Sequence, residues 1–383
     1  MKKYFFPQIL LVFLLVGFIS SCKKSSPDGN NGNNNGSNNG SDCTNTDSLY
    51  VRISVNSVVK NGFDRVLITV FDSTGADITN SCNIKANNTY SVTSNYLPTL
   101  APGTYTITAT HKFCTAPSTS VTLQVIPSPY KKKIIVEDCT GAWCGFCPRL
   151  SDKLEKYKST HPDCIVTAVH GGGGDDIMKF QYYNSYNAQF GVGGYPTVII
   201  NRKKYNLSYD WNEQTSVLDN ALKEPAPLGI SISSHLNGSN VEGTVKVKFG
   251  VTTTSTMKLV INYIENGIIY PQVNYYSSQY GYTPYLYGGI SPINNFSHNG
   301  VLRRTATSLF GDLIPTSIVT DGIYELPFII PISGSTSGGT YTSVPTNSAI
   351  VAFVVDGASG SPAGIYNVQY APVGQTVNAN FNE

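Results

Sequence analysis

The sequence predicts a multidomain chain of mixed α/β and all-β class, with a central α/β domain between two β-rich domains. In residues 43–127 and 227–383, apolar and polar residues alternate with period two between turn signals, a pattern typical of half-buried strands. In residues 128–226, apolar strand-like runs alternate with segments of helical spacing, which indicates an α/β domain. We therefore expect an N-terminal β-sandwich, a central α/β domain and a C-terminal β-sandwich.

The first 42 residues carry export and tethering signals. Residues 1–21 combine a basic start, an apolar run and a small-residue end, as a signal peptide does. Cys22 follows directly, and this arrangement resembles the bacterial lipoprotein signal, which implies that Cys22 is lipidated. Residues 22–42 form a Ser-, Asn- and Gly-rich linker that cannot bury a core and is expected to be disordered. The alternative is an ordinary signal peptide with an incidental cysteine.

The charge balance excludes an electrostatic nucleic-acid binder. The chain has 26 Lys and Arg against 24 Asp and Glu, and residues 1–21 contain two lysines and no acid, which leaves 24 residues of each sign. A neutral protein gains no affinity from counterion release, so we expect no nucleic-acid partner. No later stretch is apolar enough to span a bilayer, so we expect the membrane contact to be the lipid at Cys22.

The N-terminal domain, residues 43–127, is predicted to be a spacer. Its strand-like segments at residues 49–55, 65–71, 104–110 and 120–125 are separated by turns such as residues 73–75. The step at residues 101–106 resembles the approach to a late strand in bacterial immunoglobulin-like domains. The expected fold is a small immunoglobulin-like sandwich, and no residue pattern in it indicates a site.

A Cys-x-x-Cys pair follows a strand in the central domain. The apolar run 134–136 ends at the acidic Asp138, and Cys144 and Cys147 come next, directly before apolar residues at helical spacing. This order predicts a strand, a tight turn and the first turn of a helix. The helix N-terminus favours a thiolate on Cys144, and a disulfide across so short a loop is easily exchanged.

This stretch resembles the thioredoxin-fold oxidoreductases. The resemblance rests on the Trp143-Cys144-Gly145-x-Cys147 core, on the acid six positions before the first cysteine, and on a proline about fifty residues later, Pro196, which precedes an apolar strand. In that family the proline is cis and faces the cysteine pair. The central domain is accordingly expected to be thioredoxin-like, and no organic cofactor or metal is expected.

The resemblance implies a role for each matching residue. Cys144 would be the attacking thiolate, Cys147 would resolve the mixed disulfide, and buried Asp138 would accept the proton from Cys147. Trp143, Tyr195 and Pro196 would contact substrate, with the Tyr195 backbone pairing to an extended peptide. Phe146 is bulkier than the Pro or His common between the cysteines, so the resemblance does not set the direction of electron flow.

A zinc site and a phosphate-binding loop are two alternative interpretations in this domain, and both are less well supported. Half of a zinc site would need a second Cys/His pair at ligand spacing, and the five histidines are scattered, so no metal site is predicted. The glycine run 171–174 lacks the Gly-Lys-Ser/Thr ending of a phosphate loop. A turn is the preferred interpretation.

Cys43, Cys82, Cys114, Cys139 and Cys164 remain, an odd number, and they predict one structural disulfide. Cys82 and Cys114 lie on candidate strands of the first sandwich and form the best pair. Cys139 ends one predicted strand and Cys164 begins the next. In parallel, in-register strands they would be about five residues apart, too far for a bridge, so both are expected to be buried free thiols.

The C-terminal domain contains a tyrosine-rich segment, Tyr270 to Tyr287, and a second motif. The segment could bind a glycan or a protein partner, but the preferred interpretation is that its rings pack over the neighbouring domain. Residues 296–304 read Phe-Ser-His-Asn-Gly-Val-Leu-Arg-Arg. With the domain order, this motif resembles the outer membrane protein twenty-eight family over residues 130–380, which implies an outer membrane location facing the periplasm or the cell surface.

The sequence therefore predicts a membrane-anchored thiol–disulfide oxidoreductase, of the protein-disulfide reductase or isomerase type, that acts on exported proteins. The rival hypothesis is a non-enzymatic surface lipoprotein that binds a protein or glycan and keeps the cysteine pair as a structural bridge. Joint retention of Trp143, Asp138 and Pro196 favours the enzyme, because a structural bridge needs none of them.

Overall fold

The structure is a computed structural model of the 383-residue chain. It describes residues 48–92, 100–116, 118–205, 212–250, 255–277, 287–318, 322–336, 338–357 and 364–379. These residues belong to one compact unit, Cys43–Glu383. They are mostly β-sheet with few helices.

The N-terminal part is all-β, as its alternating pattern predicts. Its strands are β1 (Tyr50–Ile53), β2 (Ser57–Lys60), β3 (Ile68–Phe71), β4 (Cys82–Ala86), β5 (Tyr90–Val92), β6 (Gly103–His111) and β7 (Val121–Pro127). Strand β1 pairs with β3, and the others form a sheet of order β2-β7-β6-β4-β5. The inward side chains of the two sheets form one core, which includes Ile68, Ile107 and Leu123.

The central part alternates strands and helices. Its elements are β8 (Ile134–Thr140), α1 (Cys147–Thr160), β9 (Cys164–His170), α2 (Tyr183–Phe190), β10 (Thr197–Ile200), β11 (Lys203–Tyr205) and α3 (Asn212–Leu222). Strands β8 and β9 are parallel, whereas β10 is antiparallel to β8. Every residue of β8 and β9 is buried, because the sheet is covered on both faces.

The C-terminal part is again β-rich. Its strands are β12 (Leu228–Asn237), β13 (Asn240–Phe249), β14 (Met257–Glu265), β15 (Ile268–Ile269), β16 (Ser297–His298), β17 (Val301–Thr305), β18 (Asp312–Ile314), β19 (Ile323–Pro331), β20 (Ser333–Thr336), β21 (Gly339–Thr342), β22 (Ser348–Asp356), β23 (Ile365–Pro372) and β24 (Thr376–Val377). A four-stranded sheet of order β19-β13-β12-β24 packs on β14, β22 and β23 around a core that includes Phe249 and Tyr263.

The central and C-terminal parts share one sheet. Its nine strands run in the order β11-β10-β8-β9-β17-β14-β22-β23, with β18 also paired to β14. The junction is the parallel pairing of β17 with β9, where Val301 stands opposite Ala168 and the Ala168 N–H donates to the Gly300 carbonyl at 2.7 Å. Gly300 has a left-handed φ of +66°, and an added Cβ would lie 2.6 Å from the Val166 carbonyl oxygen. Only glycine allows this approach.

The two faces of the central sheet have different covers. Ile134 and Val136 pack with the α1 and α3 side chains Leu154 and Leu218, whereas Cys139 packs with the α2 residues Tyr186 and Phe190. Successive strand residues point to opposite faces. Asp138 therefore faces α1, the helix that begins at Cys147.

Candidate functional site

The cysteine pair lies at the start of α1 and is oxidised. Cys144 and Cys147 form a disulfide. The preceding turn is closed by the Cys144 N–H, which donates to the Gly141 carbonyl at 2.9 Å, and by the Cys147 N–H, which donates to the Cys144 carbonyl at 3.2 Å. Cys144 is 4% exposed and Cys147 1%. The predicted strand, turn and helix are all present here.

Asp138 is buried on the face of β8 that α1 covers. Its side chain is 3% exposed, its Oδ2 accepts a long 3.4 Å hydrogen bond from the Ser151 hydroxyl, and its Oδ1 has no hydrogen-bond partner among the described residues. Ser151 is one helical turn after Cys147. Burial raises the pKa of the Asp138 carboxyl to about 7, and the Ser151 hydrogen bond opposes this shift. A group with this pKa exchanges protons readily near neutral pH.

Trp143 is held by the glycine run that the sequence presents as a turn. Its indole Nε1–H donates to the Gly171 carbonyl at 2.9 Å. Gly172 and Gly174 have left-handed φ values of +76° and +71°, and a Cβ on either would overlap the indole, whereas a Cβ on Gly173 would meet nothing within 4 Å. The run therefore forms a pocket wall around Trp143.

The predicted proline segment lies beside Trp143. The Tyr195–Pro196 peptide bond is cis, and the Tyr195 ring meets the Trp143 indole edge-on at 5.5 Å between centroids. The Tyr195 hydroxyl accepts a hydrogen bond from the Asn187 amide at 2.6 Å, and burial raises the pKa of Tyr195. The structure thus brings together two of the predicted substrate-contact positions, and Tyr195 and Pro196 are half-buried.

A buried histidine–aspartate pair, which the sequence interpretation missed, supports the turn. His170 Nδ1 lies 2.8 Å from Asp176 Oδ2, and the same Oδ2 accepts the Ala142 N–H at 2.8 Å. His298 stacks edge-on against His170 at 5.3 Å, and burial lowers its pKa to about 3. His298 is therefore neutral. The sequence offers two signals for this cluster, the position of His170 six residues after Cys164, which begins a predicted strand, and the place of His298 in the motif at residues 296–304.

A cavity of about 350 Å³ lies between this cluster and α1. Its inner wall includes Asp138, His170 and His298, and its outer wall includes Glu155 and Lys156 of α1. Among the described residues, no group of three His, Cys, Asp or Glu side chains is arranged to hold a metal ion.

Residues 272–276 of the tyrosine-rich segment, hereafter the strap, lie across the cysteine turn. The Val273 N–H donates to the Ala142 carbonyl at 2.8 Å, and the Tyr275 N–H donates to the Gly145 carbonyl at 2.9 Å. The buried Gln272 amide donates to the Cys144 carbonyl at 3.0 Å. Tyr275 meets Phe146 edge-on at 5.0 Å. For these residues, packing over the neighbouring domain is the observed arrangement, and residues 278–286 lie outside the described ranges.

Gln272 is a site residue that sequence analysis could not find. It is separated from Cys144 by 128 residues and lies in a segment without periodicity. The far edge of the strap is tied to residues 290–293, where Gln272 and Ile293 exchange two backbone hydrogen bonds of 2.8 and 3.1 Å.

The other cysteines correct one prediction. Cys82 is a free, buried cysteine, so the predicted Cys82–Cys114 disulfide is wrong. Cys82 points into the core of the first sandwich, and Cys114, which is disulfide-bonded, has another partner. Cys139 and Cys164 are buried and belong to no disulfide, as predicted. On the parallel strands Cys139 stands opposite Val169 and Cys164 opposite Ile134, and burial raises the pKa of Cys164 to about 12.

The motif at residues 296–304 joins the two parts of the shared sheet. His298 contacts His170, and Gly300 accepts the hydrogen bond from β9. Arg303 forms a buried ion pair with Glu265 at 2.7 Å and lies over the Tyr341 ring at 4.5 Å. The motif is therefore a structural junction directly beside the cysteine site.

Of the two predicted membrane features, the structure bears on one, and lipidation at Cys22 stays a prediction. Cys22 lies outside the described residues. No helix among the described residues is long and apolar enough to cross a membrane.

The described fold and site define a β-rich protein whose C-terminal sheet is continuous with a disulfide-bearing α/β part. A model of the family "Outer membrane protein Omp28" matches residues 183–377, slightly more than half of the 383 residues. The chain belongs to this family and is an outer membrane protein. The matched region begins at α2, after the cysteine pair.

Other comparisons give distant similarities. No curated protein matches the chain. Among solved structures, HBP35 of Porphyromonas gingivalis is similar at 18% identity and a TM-score of 0.49, over 64% of this chain and 76% of that one. A protein from Agrobacterium tumefaciens is similar at 16% identity and a TM-score of 0.37, over 64% of this chain and 95% of that one.

Proposed function

We propose that this outer membrane protein is a thioredoxin-like thiol–disulfide oxidoreductase that acts on exported proteins. The observation that carries the proposal is the Cys144–Cys147 disulfide at the start of α1, with the Asp138 carboxyl buried on the strand face behind that helix and its pKa raised to about 7. A structural bridge gains nothing from an unpaired buried acid, which costs stability. Redox chemistry can use one.

The surrounding elements support a thioredoxin-like assignment for the central part. A strand, the cysteine turn, a helix and a parallel strand follow one another at β8, α1 and β9. The Trp143 indole beside the first cysteine contacts Tyr195, the residue before Pro196. These are the positions at which the resemblance implies substrate contact.

Exchange at this site balances as two thiol–disulfide steps. A substrate thiolate attacks Cys144 Sγ, forms a mixed disulfide and displaces Cys147 as the leaving thiolate. A second substrate thiolate then attacks the substrate sulfur of the mixed disulfide and displaces Cys144. The substrate gains a disulfide and loses two electrons, which the cysteine pair gains. The reverse sequence reduces a substrate disulfide and restores the pair to its oxidised form.

Asp138 would handle the proton of Cys147 in both directions. When Cys147 leaves as a thiolate, a protonated Asp138 carboxyl can supply its proton. When Cys147 attacks, the carboxylate can accept that proton. With a pKa of about 7, both forms of the carboxyl are populated near neutral pH, as a two-way proton carrier requires.

Trapping of mixed disulfides tests the proposal. Without Cys147 a mixed disulfide on Cys144 is not resolved, so the Cys147→Ala variant should accumulate reductant-sensitive complexes with exported proteins in cells. The Cys144→Ala, Cys147→Ala double variant is the control and should form none. A well-expressed Cys147→Ala variant with only glutathione adducts or homodimers would contradict the proposal.

One observation favours the second candidate, a non-enzymatic binding protein at the cell surface. The strap leaves Cys144 only 4% exposed, as for a structural disulfide. In that case a protein or glycan partner would be bound by the C-terminal part. The trapping result separates the two candidates, since a structural bridge gives no defined set of partners.

Membrane attachment through lipidated Cys22 is part of the proposal. It would tether the site on the periplasmic or surface side of the outer membrane, where exported proteins with thiols or disulfides occur. A fatty-acid probe should label the wild-type protein in membranes and leave Cys22→Ser unlabelled. An unlabelled, soluble wild-type protein would contradict the anchor.

A further inference from the structure

The strap contacts the cysteine turn as an extended peptide would. Its two N–H donors, on Val273 and Tyr275, are two residues apart, the spacing at which N–H groups share one edge of an extended segment. The chain bends directly after them, where the Ser277 N–H donates to the Tyr275 carbonyl at 2.7 Å. The first two N–H groups donate to the carbonyls of Ala142 and Gly145, on either side of Cys144. Backbone pairing of this kind is how an added strand is recognised, because it is independent of side-chain identity.

Side chains complete the contact. The Gln272 amide, 2% exposed, donates to the carbonyls of Gly141 at 3.3 Å and Cys144 at 3.0 Å. The Tyr275 ring lies so close to Gly145 that an added Cβ there would overlap it. Phe146 receives the edges of Tyr275 at 5.0 Å and Tyr276 at 6.1 Å. The strap thus contacts the cysteine turn through both its backbone and its side chains.

We infer that the strap is a built-in ligand on a polypeptide-binding edge of the active-site turn, and that a protein substrate reaches Cys144 by replacing it. The inference rests on the proposed function, because it concerns access to the same disulfide. It adds a second docking edge, the carbonyls of Ala142 and Gly145, to the predicted contact at Tyr195. It also assigns Phe146 as a specificity residue.

The contacts of the strap define the class of substrate. The residues Gln-Val-Asn-Tyr-Tyr at 272–276 carry no charge. The ring that packs against Phe146 is that of Tyr275, the second residue whose N–H donates to the turn. A substrate that replaces the strap would be an uncharged, extended stretch of polypeptide with an aromatic side chain two residues after its first N–H donor. Such stretches are exposed in exported proteins before they fold.

The test compares small and large thiols on purified full-length protein. The rate at which the Cys144–Cys147 disulfide is reduced is measured with dithiothreitol and with reduced, unfolded ribonuclease A. Tyr275→Ala removes the ring from Phe146, and Val273→Pro removes the N–H that Ala142 accepts. Tyr50→Ala is the matched control, because Tyr50 is 44% exposed on β1.

The strap variants should react faster with ribonuclease A by about two- to tenfold, the effect that loss of one aromatic pair gives. The rate with dithiothreitol should rise less, and Tyr50→Ala should match the wild type. If Val273→Pro does not fold, Tyr275→Ala decides the question. If the ratio of the ribonuclease A rate to the dithiothreitol rate is the same in Tyr275→Ala as in the wild type, the inference is overturned. The proposed function would still stand in that case, provided that dithiothreitol reduces the wild-type disulfide. A disulfide inert to both thiols in every variant would overturn both.

A synthetic peptide tests the substrate class. The sequence of residues 270–277, added in trans to Tyr275→Ala, should compete with the weakened strap for this edge and slow reduction by ribonuclease A in a saturable manner. The same peptide with both tyrosines at 275 and 276 replaced by alanine is the control and should have no effect. Equal inhibition by the two peptides would contradict the role of Phe146.

Discussion

At the scale of single residues, the chemistry of the site depends on a carboxyl that has been removed from water. Asp138 lies on a strand face that α1 covers, and one weak hydrogen bond from Ser151 is its only hydrogen bond among the described residues. Its proton affinity is therefore set by burial. Cys139, the next residue, faces the opposite side of the sheet, where it packs in the core outside any disulfide.

The pKa of Asp138 makes a prediction about stability and pH. A carboxyl whose folded-state pKa is raised binds its proton more tightly in the native than in the unfolded chain, so stability falls as pH rises from 3.8 towards 7. Since a tenfold change in proton affinity is worth about 1.4 kcal/mol, a pKa raised to about 7 corresponds to roughly 4 kcal/mol. Asp138→Asn should remove this loss.

Urea unfolding of the oxidised protein at pH 4, 6 and 8 measures the effect. The free energy of unfolding of Asp138→Asn minus that of the wild type should increase with pH, by an amount on the order of a few kcal/mol. Asp152→Asn is the control, because Asp152 pairs with Lys156 on the solvent side of α1, and it should change stability by less than about 0.5 kcal/mol. If the free energies of unfolding of Asp138→Asn and the wild type change in parallel with pH, burial does not raise the pKa of this carboxyl.

At the scale of elements, each segment of the site is held by a neighbour distant in sequence. The glycine run 171–174 encloses Trp143, Asp176 holds the Ala142 N–H, and the strap covers the cysteine turn from the C-terminal part. The turn therefore has little freedom of its own. Its geometry depends on β9, on the loop after it and on the strap.

The glycine pocket predicts a sharp difference between adjacent positions. Gly172→Ala should destabilise the protein by more than about 1 kcal/mol and alter the Trp143 fluorescence, because it combines a left-handed φ with overlap on the indole. Gly173→Ala meets open space and has no such φ, so it should change stability by less than about 0.5 kcal/mol. Thermal unfolding and fluorescence in a Trp211→Phe background measure both. Equal effects at the two positions would contradict the pocket.

Sequence patterns predicted the elements of the site better than its surroundings. The strand before the cysteines, the helix after them and the proline segment were predictable, because periodicity and a local motif are sufficient for each. The His170–Asp176 pair and Gln272 were not, since their contacts join residues far apart in the chain or depend on side-chain packing. The Cys82–Cys114 error has the same origin. Alternation places Cys82 on the inner face of a strand but does not show which side chains lie opposite it in the core.

At the scale of the whole molecule, the disulfide-bearing part and the C-terminal part are built on one sheet. The pairing of β9 with β17 continues the sheet from one part into the other. Beside it, the ion pair of Glu265 and Arg303 has both side chains buried. Strap and sheet together place the cysteine turn against the C-terminal part. These contacts predict that the two parts unfold together.

Breaking the buried pair tests this coupling. Arg303→Met leaves Glu265 as a buried unpaired charge and should cost roughly 3–5 kcal/mol, while Lys246→Met, which breaks a half-exposed pair with Glu325, should cost less than about 1 kcal/mol. Denaturation followed by Trp143 fluorescence in the Trp211→Phe background and by far-ultraviolet circular dichroism should shift together in Arg303→Met. A circular dichroism transition that moves while the Trp143 transition stays in place would contradict a shared sheet.

The reduction potential of the Cys144–Cys147 couple tests the central claim most directly. The purified protein is equilibrated in dithiothreitol and glutathione buffers of known potential, and the free thiols are trapped and counted, with the Cys144→Ala, Cys147→Ala double variant as the control for background thiols. A redox-active pair should equilibrate with these buffers at a potential above about −300 mV, as exchanging disulfides do. A pair that stays oxidised below about −300 mV would behave as a structural disulfide and would contradict the proposed function.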